Sequence, residues 1–324
     1  MKTAGERSAA TPAGRGTGHE TRDGMLLFIG ALTAFASYDA FAKHMLVSTP
    51  PTMVNLGRYV AIGVMAVVLL FRHQRAQGRA AIAPWRQPHQ GLLMLRALML
   101  ATVATSFMTA LVVMPLAEAT AIYFTAPLFM VALSPWLLGE RVGRVQWIAV
   151  ALGFAGMLLI VRPGGSLPGW GTAAMGLAAV CYAMFQILTR RLSGLVPAPV
   201  QFAYMALFCL VMTSLPGLFS AHVALPAWPV ALALLAGGAV SGMAQLLLLA
   251  AFRRVSAATL APLNYLQLLM ALVISTVWFQ RPPDGMALAG IGLILAAGLY
   301  LATARRPAAA TAAAPPEKIS ETNP

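Results

Sequence analysis

The chain has 324 residues, of which 59% are hydrophobic and only 10% charged, with a formal net charge of +13. A typical soluble domain carries about 25% charged residues, so a water-soluble fold of this composition would expose larger apolar patches than monomers tolerate. The basic excess does not point to nucleic acid, because the lysines and arginines sit in small groups between apolar runs instead of gathering on one surface. An integral membrane protein is expected.

A helix needs about 20 mostly apolar residues to cross the hydrocarbon core. Ten runs qualify: 24–45, 52–71, 90–111, 115–138, 145–161, 168–189, 198–219, 229–251, 255–279 and 285–304. None shows the period-two alternation of a membrane barrel, so the fold class is all-α. The text is continuously apolar from Gly91 to Leu138, and the third and fourth runs are divided at Pro115, since proline suits a helix's first turn. The tails, 1–23 and 305–324, lack the apolar residues for a core and are expected to be disordered. "AFA" at 34–36 resembles a signal-peptidase site, but the long tail of mixed charge before it favours an uncleaved first span. Cys181 and Cys209 lie inside apolar runs and read as small packing residues.

Lysine and arginine placement sets the orientation. With the N-terminus in the cytoplasm and the spans alternating, seventeen basic residues fall inside and three (Lys43, Arg162 and Arg281) outside; Arg58 and Arg96 lie within spans. That bias supports an even number of spans with both termini in the cytoplasm of a cell bounded by this inner membrane.

The fourth run, "MPLAEATAIYFTAPLFMVALSPWLLGER" (114–141), has a looser echo in "RVSAATLAPLNYLQLLMALVISTVWFQR" (254–281). Ten spans divide into two fives, and five is odd, so two copies of one unit must sit oppositely in the membrane. The charges agree: the linker before span four, "VVM", is uncharged, whereas the one before span nine holds Arg253 and Arg254. The organisation expected is therefore a first repeat at 24–163 and a second, inverted one at 168–304. Such repeats characterise secondary transporters, which bind solute near the midplane between them.

Charges in the membrane are costly, about 2.5–3.5 kcal/mol each on insertion scales, so each needs a reason. Asp39 lies in the outer third of span one, with Lys43 a turn above it. Arg58 enters span two by about 9 Å, and Glu118 sits in the outer first turn of span four. Glu118 is either a carboxylate favoured by the helix dipole or part of a charged outer gate. Asp39 and Arg58 share a depth and are expected to pair. Arg96, near the inner end of span three, can snorkel to the surface. Tyr123, Asn264 and Tyr265 lie near the midplane, with Gln186 and Gln245 further in; amides and phenols can hydrogen-bond a solute or a neighbouring helix, and the rings can stack a flat solute. These eight residues, Asp39, Arg58, Glu118, Tyr123, Gln186, Gln245, Asn264 and Tyr265, are the candidates for solute binding or gating. Gly238, Gly242, Gly153 and Gly156 read as close-packing positions.

"PLAEATAIYFTAPLFMVALSPWLLGERVGRVQWIAVALGFAGMLLIVRPG" resembles the signature half of EamA-type carriers of the drug/metabolite transporter superfamily: an Ala-rich helix start, the mid-helix Pro127, "LGER" at the inner exit and a fifth helix containing Gly153 and Gly156. The likeness runs from Gly24 to Thr303. Within the family, "DAFAK" (39–43), "PLAEATAI" (115–122) and "AATLAPLNY" (257–265) are most similar to the branch of bacterial riboflavin importers. The second half departs from the pattern at Gln280, opposite Glu140 of "GER", which argues against a symmetric ion site there.

With no "GxxxxGK[ST]" phosphate loop and no soluble domain for ATP hydrolysis, the expected function is secondary transport of a small polar or aromatic metabolite by alternating access. The resemblance implies riboflavin uptake as one possibility, with export or exchange of amino acids or related metabolites as the alternative. An intramembrane enzyme would need a nucleophile with its base or a metal cluster, and no "HExxH" or deep histidine supplies one. No cofactor or metal is implied; the partners expected are a small solute and the lipid bilayer, with the protein a monomer or homodimer.

Overall fold

The computed structural model describes residues 16–77, 89–138, 142–162, 167–192, 195–218, 226–255 and 260–304. The expectations for residues 1–15, for the tail from Arg305 and for Glu140 fall outside them. In chain order the elements are α1 (Gly16–Met45), α2 (Pro51–Gln77), α3 (Gln90–Val113), α4 (Leu116–Tyr123), α5 (Ala126–Leu138), α6 (Arg144–Val161), α7 (Gly169–Leu192), α8 (Ala198–Leu218), α9 (Trp228–Arg254), a 3-10 helix (Ala261–Tyr265), α10 (Leu266–Val277) and α11 (Gly285–Ala304). Every regular element among the described residues is helical. Seven segments, one of them α4 and α5 together, are long and apolar enough to cross a membrane; α8, the 3-10/α10 segment and α11 supply three shorter apolar helices. Helix α1 starts at Gly16, about two turns before the apolar run at Gly24, so part of the expected N-terminal tail is a polar helical extension.

Two breaks shape the interior. Met114 and Pro115 are extended and separate α3 from α4, as expected of a residue preceding proline. A second interruption falls at Phe124–Thr125, because Pro127 has no N–H for the Tyr123 carbonyl and its ring crowds that oxygen. Thr125 repairs part of the damage: both its N–H (3.1 Å) and its hydroxyl (2.6 Å) donate to the Ile122 carbonyl. In the second half, the 3-10 helix with Pro262 in its first turn leads directly into α10. Irregular backbone at membrane depth survives only where protein or a cavity surrounds it, and α4 is buried along Leu116–Ile122.

The principal helix neighbours are α1 with α9, α6 with α11, α3 with α7, α2 with α8 and α9, α3 with α8, α5 with α7, α4 with α10, and α1 with α10. Gly24 against Val255 and Gly237 against the Phe41 ring make α1 and α9 antiparallel. Gly57 against Leu234 and Gly242 against Met65 make α2 and α9 parallel. Gly156 and Gly290 each face the other's carbonyl oxygen, so α6 and α11 cross backbone to backbone, the close approach that small residues permit in lipid. The main core joins Tyr38, Met108, Leu111, Met114, Leu116, Ile122, Met175 and Leu268. Val64, Val67, Phe71, Leu158, Leu207 and Val273 are exposed instead, a periphery suited to lipid. Trp170, Trp228 and Trp278 are exposed at helix ends, where tryptophans anchor to the membrane interface.

Candidate functional site

The candidates from α1 and α2 do not form the expected ion pair. Asp39 accepts a hydrogen bond through Oδ2 from Gln267 Nε2 of α10 at 3.1 Å. The Arg58 guanidinium lies over tyrosine faces, 4.6 Å from the Tyr38 ring centroid and 5.6 Å from that of Tyr59. The one ion pair among the described residues is Arg162–Asp284. Equal depth on adjacent helices was the basis for expecting a pair, but helix rotation turns Asp39 toward α10 and gives Arg58 two π faces, which attract a desolvated cation. Arg58 nevertheless covers the ring of Tyr38, the residue next to Asp39. Gly238 holds α9 against Gly57 and the Arg58 backbone and so fixes where Arg58 stands.

Several polar atoms in this region are buried with no hydrogen-bond partner among the described residues: Arg58 Nε, the Tyr38 hydroxyl, Asn55 Oδ1 and Thr120 Oγ1. Native interiors leave few such groups, and an unfilled binding site is one reason for them.

The midplane candidates fall on a chain of rings. Tyr265 and Phe124 lie 5.8 Å apart, Phe124 and Tyr123 6.0 Å, Tyr123 and Tyr182 4.9 Å, and Tyr182 stacks on Phe185 at 5.9 Å; Phe107 meets Tyr123 edge-on at 5.4 Å. Tyr123, Phe124 and Tyr265 thus carry the Phe124–Thr125 interruption and the 3-10 helix into one aromatic cluster. Gly298 of α11 makes room for the Tyr265 ring, since any Cβ there would collide with it. Asn264 is half-buried beside this cluster in sequence, while Gln186 and Gln245 are half-buried and make no hydrogen bond to a described residue.

Near the end of α1, Lys43 Nζ donates to the carbonyls of Leu111 (2.6 Å) and Met114 (2.9 Å), closing the C-terminus of α3 where the helix dipole favours a cation. Glu118 is buried and its Oε2 has no partner, so these two charges are not paired with each other. Arg96 does not snorkel. It is buried, donates to Thr189 Oγ1 (2.7 Å) and the Gln201 carbonyl (3.3 Å), and stacks 4.4 Å from the Phe185 centroid. Partners on two neighbouring helices offset its desolvation, and its guanidinium covers the Phe185 end of the ring chain. Outside the spans, Asp284 is held down to about 2 by Arg162, whose guanidinium meets it with two bonds of 3.1 and 2.6 Å, and by the Ala287 N–H.

Sequence reasoning missed Gln267, Tyr38, Tyr59, Phe107, Phe124, Tyr182 and Phe185. A signal existed for Gln267, because matching Glu140 with Gln280 in the echoing runs sets Pro127 against it. Tyr182 and Phe185 share a helix face at a spacing of three, which equally marks ordinary core. Chemically, the assembly offers stacking faces, a carboxylate with an amide, and a cation with spare hydrogen-bonding capacity. It offers no nucleophile–base pair.

The EamA-like transporter family model matches residues 22–162 and again 169–303. The riboflavin transporter of Rhizobium johnstonii is 27% identical over 67% of this chain and 70% of its own length. The S-adenosylmethionine uptake transporter of Rickettsia bellii is 27% identical over 64% and 70%. The pseudopaline exporter CntI of Pseudomonas aeruginosa is 28% identical over 88% and 98%. A solved crystal structure matches 86% of this chain and 96% of its own with a TM-score of 0.57 at 21% identity, a likeness of fold alone. The two matched units, the apolar helices and the transporter relatives lead to one assignment: this multi-pass membrane protein is a transporter, not an enzyme, and belongs to the EamA-like family.

Proposed function

We propose that the protein is a bacterial inner-membrane secondary carrier that takes up a flat, polar aromatic metabolite of the flavin type by alternating access. Its architecture in this reading is ten spans in two inverted five-helix repeats, 24–163 and 168–304, with both termini cytoplasmic. The helix packing supports the repeat: exchanging each span for the one five places along turns α3–α7 into α1–α9, α2–α9 into α3–α8 and α5–α7 into α1–α10, each of which is a principal neighbour pair. The observation that carries the function is the meeting of both helix breaks in a cluster of rings, next to Asp39 with Gln267 and an unpaired Arg58 Nε. Discontinuous helices near the midplane are where such carriers bind solute.

The chemistry suits a flavin. Rings such as Tyr123 and Tyr182 stack a planar tricycle, the Arg58 N–H groups match the carbonyl edge of its pyrimidine ring, and Asp39 accepts from a ring N–H or a chain hydroxyl. Arg58 favours a second reading, a carboxylate-bearing amino-acid derivative, and disfavours a sulfonium cation. Purified protein in liposomes preloaded with riboflavin should take up labelled riboflavin by counterflow, with competition by flavins and none by S-adenosylmethionine. Absence of counterflow, with competition only by carboxylated amines in a parallel screen, would replace the flavin by the second class.

A further inference from the structure

We propose that Asp39 is the proton-binding site of the carrier and that its protonation releases Arg58 to hold an acceptor group of the solute, so that proton and solute cross together. This rests on the carrier reading above.

Three observations support it. First, the charge of Asp39 is unclaimed: one oxygen accepts from the Gln267 amide and no cation lies within ion-pair distance among the described residues. An amide suits both states of the acid, since its N–H₂ donates to a carboxylate and its carbonyl accepts from a carboxylic acid after rotation. Second, Arg58 is permanently ionised, has an unpartnered Nε, and lies over the ring of Tyr38, the residue next to Asp39, without forming an ion pair with Asp39. An electron-rich group of the solute therefore competes with ionised Asp39 for the field of Arg58, and neutralising Asp39 removes the competitor. Third, the Asp39 partner belongs to α10, directly after the 3-10 break, so the proton site is tied to a discontinuous helix and not only to the rigid α1–α9 pair.

One other carboxylate, Glu118, lies on the elements packed around Asp39. Its own helix presents Tyr38, and Lys43, whose ammonium is held by two carbonyls. Helix α2 presents Arg58 and Tyr59; α4 presents Tyr123, and Glu118 at the outer first turn. Helix α9 carries no ionisable side chain between Trp228 and Phe252, α3 carries only Arg96, bound at the far end, and the 3-10 helix offers Tyr265. Thermodynamic reciprocity then requires that a bound proton strengthen solute binding by the factor by which solute strengthens proton binding.

Flux into liposomes tests this. An inward acid gradient should drive accumulation of riboflavin by the wild-type protein, and its half-saturating concentration should fall about tenfold between about pH 8 and about pH 5, within the range of site-to-site couplings. Asp39→Asn, a mimic of the neutral acid, should lose gradient-driven accumulation at least about tenfold, and the half-saturating concentration of the exchange it retains should no longer change with pH. Gradient-driven accumulation in folded Asp39→Asn, or a wild-type half-saturating concentration independent of pH, overturns the proposal; the second measurement needs no variant to fold. If riboflavin is not moved at all, the flavin reading fails, and a solute-free experiment still judges the proton site. Infrared spectra of wild-type protein titrated over about pH 4–8 should show a protonated-carboxyl band that Asp39→Asn lacks. No such band in wild type, or an unchanged one in Asp39→Asn, overturns it.

Discussion

Gly238→Ala tests whether the α2–α9 contact positions Arg58. A Cβ on Gly238 would lie 2.6 Å from the Gly57 carbonyl oxygen, 2.8 Å from Arg58 Cα and 3.0 Å from Ala61 Cβ. Ordinary contact begins near 3.4 Å, so α9 and α2 must separate by about 0.8 Å at the closest atom, and two of the three obstacles are backbone that cannot rotate away. Gly63, on α2, supplies the control, because a Cβ there would meet nothing within 4 Å. Replacing a helical glycine by alanine is worth about 1 kcal/mol in backbone propensity. Gly63→Ala should therefore raise stability by up to that amount. Gly238→Ala gains the same term and loses about 1–3 kcal/mol to overpacking, leaving it between unchanged and about 2 kcal/mol below wild type. Thermal unfolding of the purified proteins in detergent measures the difference, and solute flux per folded molecule should fall in Gly238→Ala alone. If the two variants matched in melting temperature and flux, the close crossing at Arg58 would be irrelevant to both fold and site.

Arg96→Lys should lower stability by about 1–3 kcal/mol, because an ammonium cannot reproduce the hydrogen bonds to Thr189 and Gln201 together with the stacking on Phe185; melting in detergent checks it, and wild-type stability would restore the snorkelling picture. The Arg162–Asp284 clamp joins the ends of α6 and α11, and Asp284, depressed to about 2, contributes stability that is fully present above the ordinary carboxylate range, about 3.9, and lost as pH falls through about 2. The melting difference between wild type and Asp284→Asn should thus stay constant from about pH 8 down to about pH 5 and shrink only under strong acid; a difference that changes between pH values near neutrality would contradict the pairing.

Much of the architecture was legible because hydrocarbon imposes a length on every apolar run, and Pro115 divides α3 from α4 where its geometry requires. The break inside the fourth run was harder to read. That run contains Pro127 and Pro135, yet α5 continues through Pro135, while Pro127 coincides with an interruption. A hydroxyl precedes each proline and bonds a carbonyl one turn back, Thr125 to Ile122 and Ser134 to Met130, so the residue types alone do not separate the two sites. A sequence names the prolines but not which freed carbonyls find a substitute donor. Arg96 was misjudged for a related reason: depth along one helix was known, but Thr189 and the Gln201 carbonyl lie on α7 and α8, about a hundred residues away in sequence.

The same limitation separates Asp39 from Arg58, and its consequence is functional. Depth along a helix follows from counting residues at about 1.5 Å each; azimuth follows from what each helix packs against. Helix α1 packs on α9 and α10, which turns Asp39 toward Gln267, and α2 packs on α8 and α9, with Gly238 pressed against the Arg58 backbone. A direct ion pair would have satisfied both charges within the protein and left neither for a solute, since buried pairs are costly to break once formed. Held apart, one charge is covered by an amide and the other by tyrosine faces, partners weak enough to exchange. A carrier must bind its solute firmly enough to select it and loosely enough to release it on the other side, and in the proposed site half-satisfied groups beside broken helices would meet both conditions.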